Sequence, residues 1–276
     1  MTQPLHSRIL THAVLILVAL ACILPLLVSL KISLEPSPYA FQAPTWVWHE
    51  PSLDHYVEVI QRQDLMLPNW FFNSLFVSSA IVVFQLLVVS LAAYAFARLT
   101  FPGRNLLFLV LVFTMMVPAQ VTMIPVYTTI RDFKLLDNYL GLILPALANV
   151  FGLFLIRQFF LGIPRDFEEA AMIDGAGRWR TWLVIMLPQV KAGLITLAIL
   201  TFLGTWNDLF WPLIVMNKLE MRTLTVGLTV LNGSYGTERA LVMAGAFFAI
   251  VPALILYGIF QKHIMQGNIL AGLGGR

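Results

Sequence analysis

Glu169, Ala170 and Ala171, then Gly175, then Ile185, Leu187 and Pro188 form one spaced pattern in a polar, basic stretch between two long apolar segments. Their types suit mechanical contact rather than bond-making. Pro164 stops the preceding helix, Asp166 is placed to N-cap a new one, and Glu169 follows where a capping-box partner belongs. Ala170 and Ala171 favour helix with little bulk, so a partner surface can approach closely, and Gly175 after Asp174 can take positive φ and end the helix. A second amphipathic piece is expected over 177–187, with Trp179, Trp182, Leu183 and Met186 offering apolar contact before Pro188 turns the chain upward. The stretch 162–188 therefore reads as a helix-turn-helix outside the lipid, with Glu169, Ala170, Ala171, Asp174 and Gly175 as its contact residues.

A second set of residues has the chemistry to hold a solute. Polar groups inside apolar runs are costly, so Gln85, Thr114, Gln120, Asn149, Asn207 and Asp208 are expected to face protein or a wet pathway. A sugar ring presents hydroxyls and C–H faces, which amides, carboxylates and aromatic rings complement. Trp206, Asn207 and Asp208 supply these side by side, although neighbours on a helix point in different directions. With a helix starting near Ala192, Asp208 lies about 24 Å along its axis, so the triplet suits a helix-end anchor as well as sugar contact. Asn149, mid-segment, suits either a pathway lining or an interhelical hydrogen bond. Gln120, Asn149, Trp206, Asn207 and Asp208 are the expected substrate-pathway residues.

Other chemistries lack their constellations. His49, Glu50, Asp54 and His55 crowd one loop, but Pro51 interrupts them and no His-x3-His spacing appears, so no metal site is expected. Gly175 and Gly177 form a Gly-x-Gly fragment with no preceding strand and no following Lys-Ser/Thr, unlike a phosphate loop. With no Ser-His-Asp context, paired intramembrane carboxylates or cofactor fingerprint, the chain is expected to be no enzyme and to carry no cofactor of its own.

The elements that must position these residues are set by composition. The 276 residues are 59% hydrophobic and 11% charged, with mean hydropathy +0.83, a composition suited to lipid. The net charge of +3 is not gathered into a basic stripe, which argues against nucleic-acid binding, and the single Cys22 builds neither a disulfide nor a cysteine metal site. A membrane span needs about 20 mostly apolar residues. Segments 9–30, 71–97, 106–130, 139–156, 192–216 and 240–260 meet or approach that length, predicting six transmembrane helices in an all-α integral membrane protein. The first segment is too long for a signal-peptide core and lacks a small-residue cleavage site before Lys31, so it is kept as a helix. Pro118, Pro125, Pro145 and Pro252 are expected to kink their segments. Arg98 and Arg104 in one loop, and Arg157, Arg165, Arg178, Arg180 and Lys191 in another, place those loops and both termini in the cytoplasm. The organisation expected is a first helix and outer loop over 1–70, a five-helix core over 71–261 and a tail over 262–276.

The spaced pattern resembles the EAA coupling loop of binding-protein-dependent ABC importer permeases. The resemblance covers nearly the whole chain. "PTWVWHEPSLDHYVEVI", "NSLFVSS", "YAFARLTFPGR", "VPAQVTMIPVYTTIRDFKLLDNYLGLILP", "IPRDFEEAAMIDGAGRW" and "TWNDLFWPL" follow in the order seen in the maltose-type carbohydrate uptake family, in the shorter partner of its permease pair. The closing "FQKHIMQGNILAGLGGR" is similar to the family tail but ends in Gly-Gly-Arg where Val-Lys-Gly is common. The resemblance implies a type I, MetI-like permease core in a bacterial or archaeal cytoplasmic membrane. It also implies a heterodimer with a second permease subunit, two ATPase subunits carrying ATP and Mg, an extracytoplasmic solute-binding protein and a carbohydrate-like solute. The alternative is an ion-coupled secondary transporter. That class needs ionisable groups deep in its spans, and apart from His12 and Asp208 near span ends these segments hold none.

Overall fold

The structure, a computed structural model, describes residues 5–36, 50–62, 64–235 and 238–273. Trp46, Trp48 and His49 of the expected outer loop lie outside the described residues. Every regular element among the described residues is helical: α1 (Leu5–Ser33), α2 (Asp54–Gln61), α3 (Leu67–Arg98), α4 (Arg104–Thr114), α5 (Ala119–Asp132), α6 (Tyr139–Ala146) and α7 (Val150–Leu161). There follow α8 (Asp166–Ile173), α9 (Arg178–Arg180), a π-helical turn (Thr181–Met186), α10 (Leu187–Gln189), α11 (Lys191–Trp206), α12 (Phe210–Val215), a 3₁₀ turn (Leu219–Met221), α13 (Leu224–Tyr235) and α14 (Arg239–Leu273).

Three stretches, Ile9–Ser33, Leu67–Arg98 and Arg239–Ile259, are long and apolar enough to cross a membrane alone. Three bent pairs qualify jointly, which brings the possible spans to six. The bends correct the expectation of continuous segments. The third segment folds by 99° between α4 and α5, where Pro118 takes extended dihedrals and serves as the N-cap of α5. The fourth bends by 46° between α6 and α7, just past Pro145. Pro125 and Pro252, by contrast, sit inside continuous helices.

The fifth segment, expected as one run over 192–216, consists of α11 and the separate short α12. Its bent partner is Arg178–Gln189, and the 78° turn falls at Val190 rather than at Pro188. Pro188 sits in α10 directly after the π-helical turn and continues the helical stretch instead of turning the chain. The sixth segment runs on through residue 273, so most of the expected tail continues α14.

By internal contacts the chain forms two compact units. The first comprises 1–68 and 227–251. Here α1 is exposed along its apolar length from Ile9 to Leu27, and its end is fixed by polar bonds. Lys31 pairs with Glu35 at 2.9 Å with both side chains buried. Ser33 bonds Tyr56 at 2.8 Å, and His55 Nε2 lies 3.1 Å from the Glu35 carbonyl.

The second unit, 69–226 with 252–276, holds every residue of both candidate sites. It contains two buried clusters. One joins Val89, Ala93, Tyr94 and Ala97 of α3 to Ile156 and Phe160 of α7, Trp182 and Met186 of the π turn and Leu197 of α11. The other joins Val77 and Ile81 of α3 to Ile130, Leu142, Ile143, Val215 and Met216. A Cβ on Gly193 would stand 2.6 Å from the Phe159 ring, so glycine there lets α11 approach α7 closely.

Candidate functional site

The EAA-type pattern does form a short helix ended by glycine. Gly175 takes φ +74°, its N–H bonds Met172 O at 3.1 Å, and Ala176 N–H bonds Ala171 O at 2.8 Å, which together close a Schellman motif. The start differs from the expected capping box. Arg165, already helical at φ −70° and ψ −22°, is the cap residue, so Asp166, Glu168 and Glu169 all enter the first turn. There they face the positive end of the helix dipole instead of capping by side chain.

The faces of α8 divide its residues. Glu169, Ala170, Asp174 and Gly175 are exposed, whereas Ala171 is buried against the chain itself and presents no outward surface. The outward face also carries Ile173 at 86% and Met172 at 64% exposure, with Trp179 at 72% just beyond. In the second helical piece, Trp182 and Met186 point into the core while Trp179 and Leu183 point out, so the four expected contact residues split two and two.

The anchor of α8 was not anticipated. Arg98, at the end of α3, pairs with Glu168 at 3.4 Å and donates to the carbonyls of Phe160 and Ile163 at the end of α7. Tyr94 O–H donates to Glu168 Oε1 at 3.1 Å. One guanidinium thus ties together the ends of three helices, and the α3 face behind it is a helical turn of Tyr94 and Arg98. Arg157 packs its guanidinium 4.1 Å from the Phe108 ring centre and donates to Phe96 O at 3.3 Å. The sequence signal was the i, i+4 spacing of Tyr94 and Arg98 in "YAFAR", which puts both on one helix face.

At the other end of α3 a cavity of about 380 Å³ opens between α3, α5, α6 and the α11–α12 connection. Its wall includes Ser74, Ser78, Thr122, Asp208, Trp211 and Thr223. Backbone-directed bonds hold this end together. Trp70 Nε1–H donates to Leu219 O at 2.8 Å, and Asn73 Nδ2–H donates to Glu220 O and Arg222 O at 2.8 and 2.9 Å. Tyr139 O–H donates to Asn73 Oδ1 at 2.7 Å, and Leu224 N–H donates to Ser74 Oγ at 2.8 Å.

The expected pathway residues are scattered. Asp208 is half-buried in the cavity wall, its Oδ1 accepting from Trp211 N–H at 3.4 Å. Trp206 is buried at 2%, edge-on to Phe71 and stacked on Phe202, and does not line the cavity. Asn207 is exposed at the end of α11 and donates to Leu203 O at 2.8 Å. Gln120 is exposed at the start of α5, and its neighbours Ala119, Thr122 and Met123, rather than Gln120 itself, line the cavity. Asn149 is the N-cap of α7, accepting from Gly152 N–H at 2.7 Å, and lines a separate recess with Gln85 and Thr201. The missed members of the wall, Ser74, Ser78, Thr122 and Thr223, are small hydroxyls that a search for amides and carboxylates passes over. No group of His, Cys, Asp and Glu among the described residues is arranged to hold a metal ion.

Residues 85–267, more than half of the chain, match the family described as the binding-protein-dependent transport system inner membrane component. The chain is 34% identical to the arabinooligosaccharides transport system permease protein AraQ of Halalkalibacterium halodurans, over 99% of each chain. It is 32% identical to the sn-glycerol-3-phosphate transport system permease protein UgpE of Yersinia enterocolitica, over 94% of each. Among solved structures it superposes with TM-score 0.84 and 26% identity on a bacterial ABC transporter involved in import of the acidic polysaccharide alginate, over 95% of this chain and 99% of that one. The family match decides against the ion-coupled alternative: this chain belongs to the binding-protein-dependent transport system inner membrane component family, as an all-α, MetI-like permease subunit of an ABC importer.

Proposed function

We propose that the chain is one half of a heterodimeric permease that imports a carbohydrate-like solute, powered by two separate ATPase subunits that bind ATP and Mg. The observation that carries this reading is the outward face of α8. Glu169, Ala170, Met172, Ile173 and Asp174 stand exposed on a helix that Arg98 and Glu168 fix to the ends of α3 and α7. A surface that exposes apolar and acidic side chains and is anchored inside can pass a partner's movement to the membrane helices without unfolding itself. The chain supplies no nucleotide site or catalytic group in this reading, and an extracytoplasmic binding protein delivers the solute, which the description of the family as binding-protein-dependent supports. The loop 162–188 and both termini face the cytoplasm, which the placement of Arg98 and Arg104, and of Arg157, Arg165 and Arg178, in two loops between apolar segments supports.

The test is the variant Ile173→Glu in the complete reconstituted importer. Because Ile173 is exposed, insertion and folding stay intact, while ATPase co-purification and solute-stimulated ATP hydrolysis fall by about tenfold or more. Unchanged association and hydrolysis would reject α8 as the ATPase contact. Orientation has its own check: Gly177→Cys in a Cys22→Ser background stays unlabelled by an impermeant thiol reagent added outside intact cells.

A further inference from the structure

The proteins similar to this chain serve solutes of different charge: arabinooligosaccharides, sn-glycerol-3-phosphate and acidic alginate. Likeness alone therefore leaves solute charge open, but the cavity at the start of α3 bears on it. Its volume of about 380 Å³ lies within the usual range of roughly 300–1,000 Å³ for small-molecule sites. What matters is which hydrogen-bonding capacity remains free in its wall.

The wall is rich in acceptors. Thr122 and Thr205 donate their hydroxyl hydrogens to the carbonyls of Ala119 and Thr201, at 3.0 and 2.9 Å, leaving oxygen lone pairs free. Asp208 adds a carboxylate, one oxygen of which accepts from a backbone N–H. The Trp211 indole N–H, which would otherwise be a donor, is taken by Gly141 O at 3.0 Å. Ser74 accepts from Leu224 N–H and keeps its own hydrogen. Ser78 and Thr223, buried at 1% and 4%, hold hydroxyls with no hydrogen-bond partner. Among the described residues, no Lys, Arg or His lines the cavity.

A phosphate or carboxylate brings acceptors that the Ser74, Ser78 and Thr223 hydroxyls could meet, but it would also stand beside the Asp208 carboxylate with no lining cation to offset the two negative charges. A neutral sugar brings O–H donors to the free lone pairs of Thr122 and Thr205 and a C–H face to the Trp211 ring. We infer that this cavity binds neutral, hydroxyl-rich solutes and turns away anionic ones, with Asp208 as a specificity-determining residue. The inference rests on the import reading given above.

The experiment uses the complete importer with Thr122→Cys in a Cys22→Ser background and follows the rate of modification of the wall by a thiol reagent. The probes are arabinotriose, maltotriose and xylotriose as neutral trisaccharides and trigalacturonate as an anion of similar size. At least one neutral probe slows modification by about fivefold or more, and trigalacturonate leaves the rate unchanged. Asp208→Asn keeps an acceptor without the charge, so neutral protection persists and trigalacturonate begins to protect. Thr205→Val removes an acceptor within its own helix, weakening neutral protection while anion exclusion persists. Equal protection by neutral and anionic probes in the parent would overturn the inference. So would absence of protection while a neutral saccharide drives ATP hydrolysis and uptake normally, an outcome that leaves the import reading standing. Failure of every saccharide to drive hydrolysis or uptake would overturn the import reading and this inference with it.

Discussion

The two ends of α3 are fastened by different chemistry. At the α8 end, the charged side chain of Arg98 gathers a carboxylate and two helix-end carbonyls, and Tyr94 adds a phenol to the same carboxylate. At the cavity end, the ties are neutral: Trp70, Asn73 and Tyr139 donate to oxygens, and Ser74 accepts a backbone N–H. A charged hub concentrates attachment in one residue, so its loss releases several elements together. A set of neutral bonds spreads attachment over many residues, and among the described residues no cation lines the cavity between them. The first arrangement suits transmission of force, and the second suits a selective wall.

The sharpest way to break this contrast is Arg98→Ala. It leaves Glu168 and the carbonyls of Phe160 and Ile163 without their shared donor, and breaking a buried pair of this kind costs about 3–5 kcal/mol. Uptake by the reconstituted complex is expected to drop by about a hundredfold or more, with the permease still inserted. Arg98→Lys recovers part of it, since an ammonium cannot reach all three acceptors in the fork geometry of a guanidinium. Uptake within about threefold of the parent for Arg98→Ala would show that attachment at this end is spread as widely as at the other.

Gly175→Val comes next. The backbone there is at φ +74°, and an added Cβ meets nothing within 4 Å, so the penalty is conformational strain of about 1–3 kcal/mol and not a clash. Gly175→Asn tests that account, because asparagine tolerates the left-handed region and is expected to restore most ATPase association measured by co-purification. Equal loss in both variants would point to a direct contact at Gly175 itself.

What the sequence disclosed followed the same division. The helix over 166–173 and its glycine stop were readable because both depend on residues close in the chain: an acidic first turn, alanines, and a residue fit for positive φ. The apolar segments were readable by length. The bends were not, because Pro118 breaks its segment while Pro125 and Pro252 do not, and the outcome depends on which freed carbonyls find other partners. Arg98 showed its charge in the sequence but not its partners, which come from residues more than sixty positions away. The Trp206, Asn207, Asp208 triplet failed as a unit for the reason already visible in helix geometry: adjacent side chains diverge, and only Asp208 reached the cavity.

At the cavity end, Asn73→Ala removes three neutral bonds, two to the carbonyls of Glu220 and Arg222 and one from Tyr139. Neighbouring Trp70 and Ser74 still hold the same segment, so the expected loss is about 1–2 kcal/mol. A lower melting temperature of the purified complex with unchanged ATPase association is the predicted outcome. Loss of association would show that the two ends of α3 are not independent and would dissolve the contrast.

The smallest structural effect belongs to Glu169→Ala, and that makes it the most discriminating variant for the α8 surface. Glu169 is exposed in the first turn and caps nothing by side chain, so its contribution to folding reduces to the helix dipole, about 0.3–1 kcal/mol before screening by salt. Alanine recovers part of even that through its helix propensity. The melting temperature of the permease is therefore expected to stay unchanged, while ATPase affinity falls by several-fold because the lost carboxylate faced outward. Glu168→Ala, one residue away and turned inward to Arg98, gives the opposite signature: lower stability first, with coupling lost as a consequence. If instead Glu169→Ala destabilised the isolated permease, its carboxylate would belong to the internal anchor, and the outward face of α8 would rest on Ala170, Met172 and Ile173 alone.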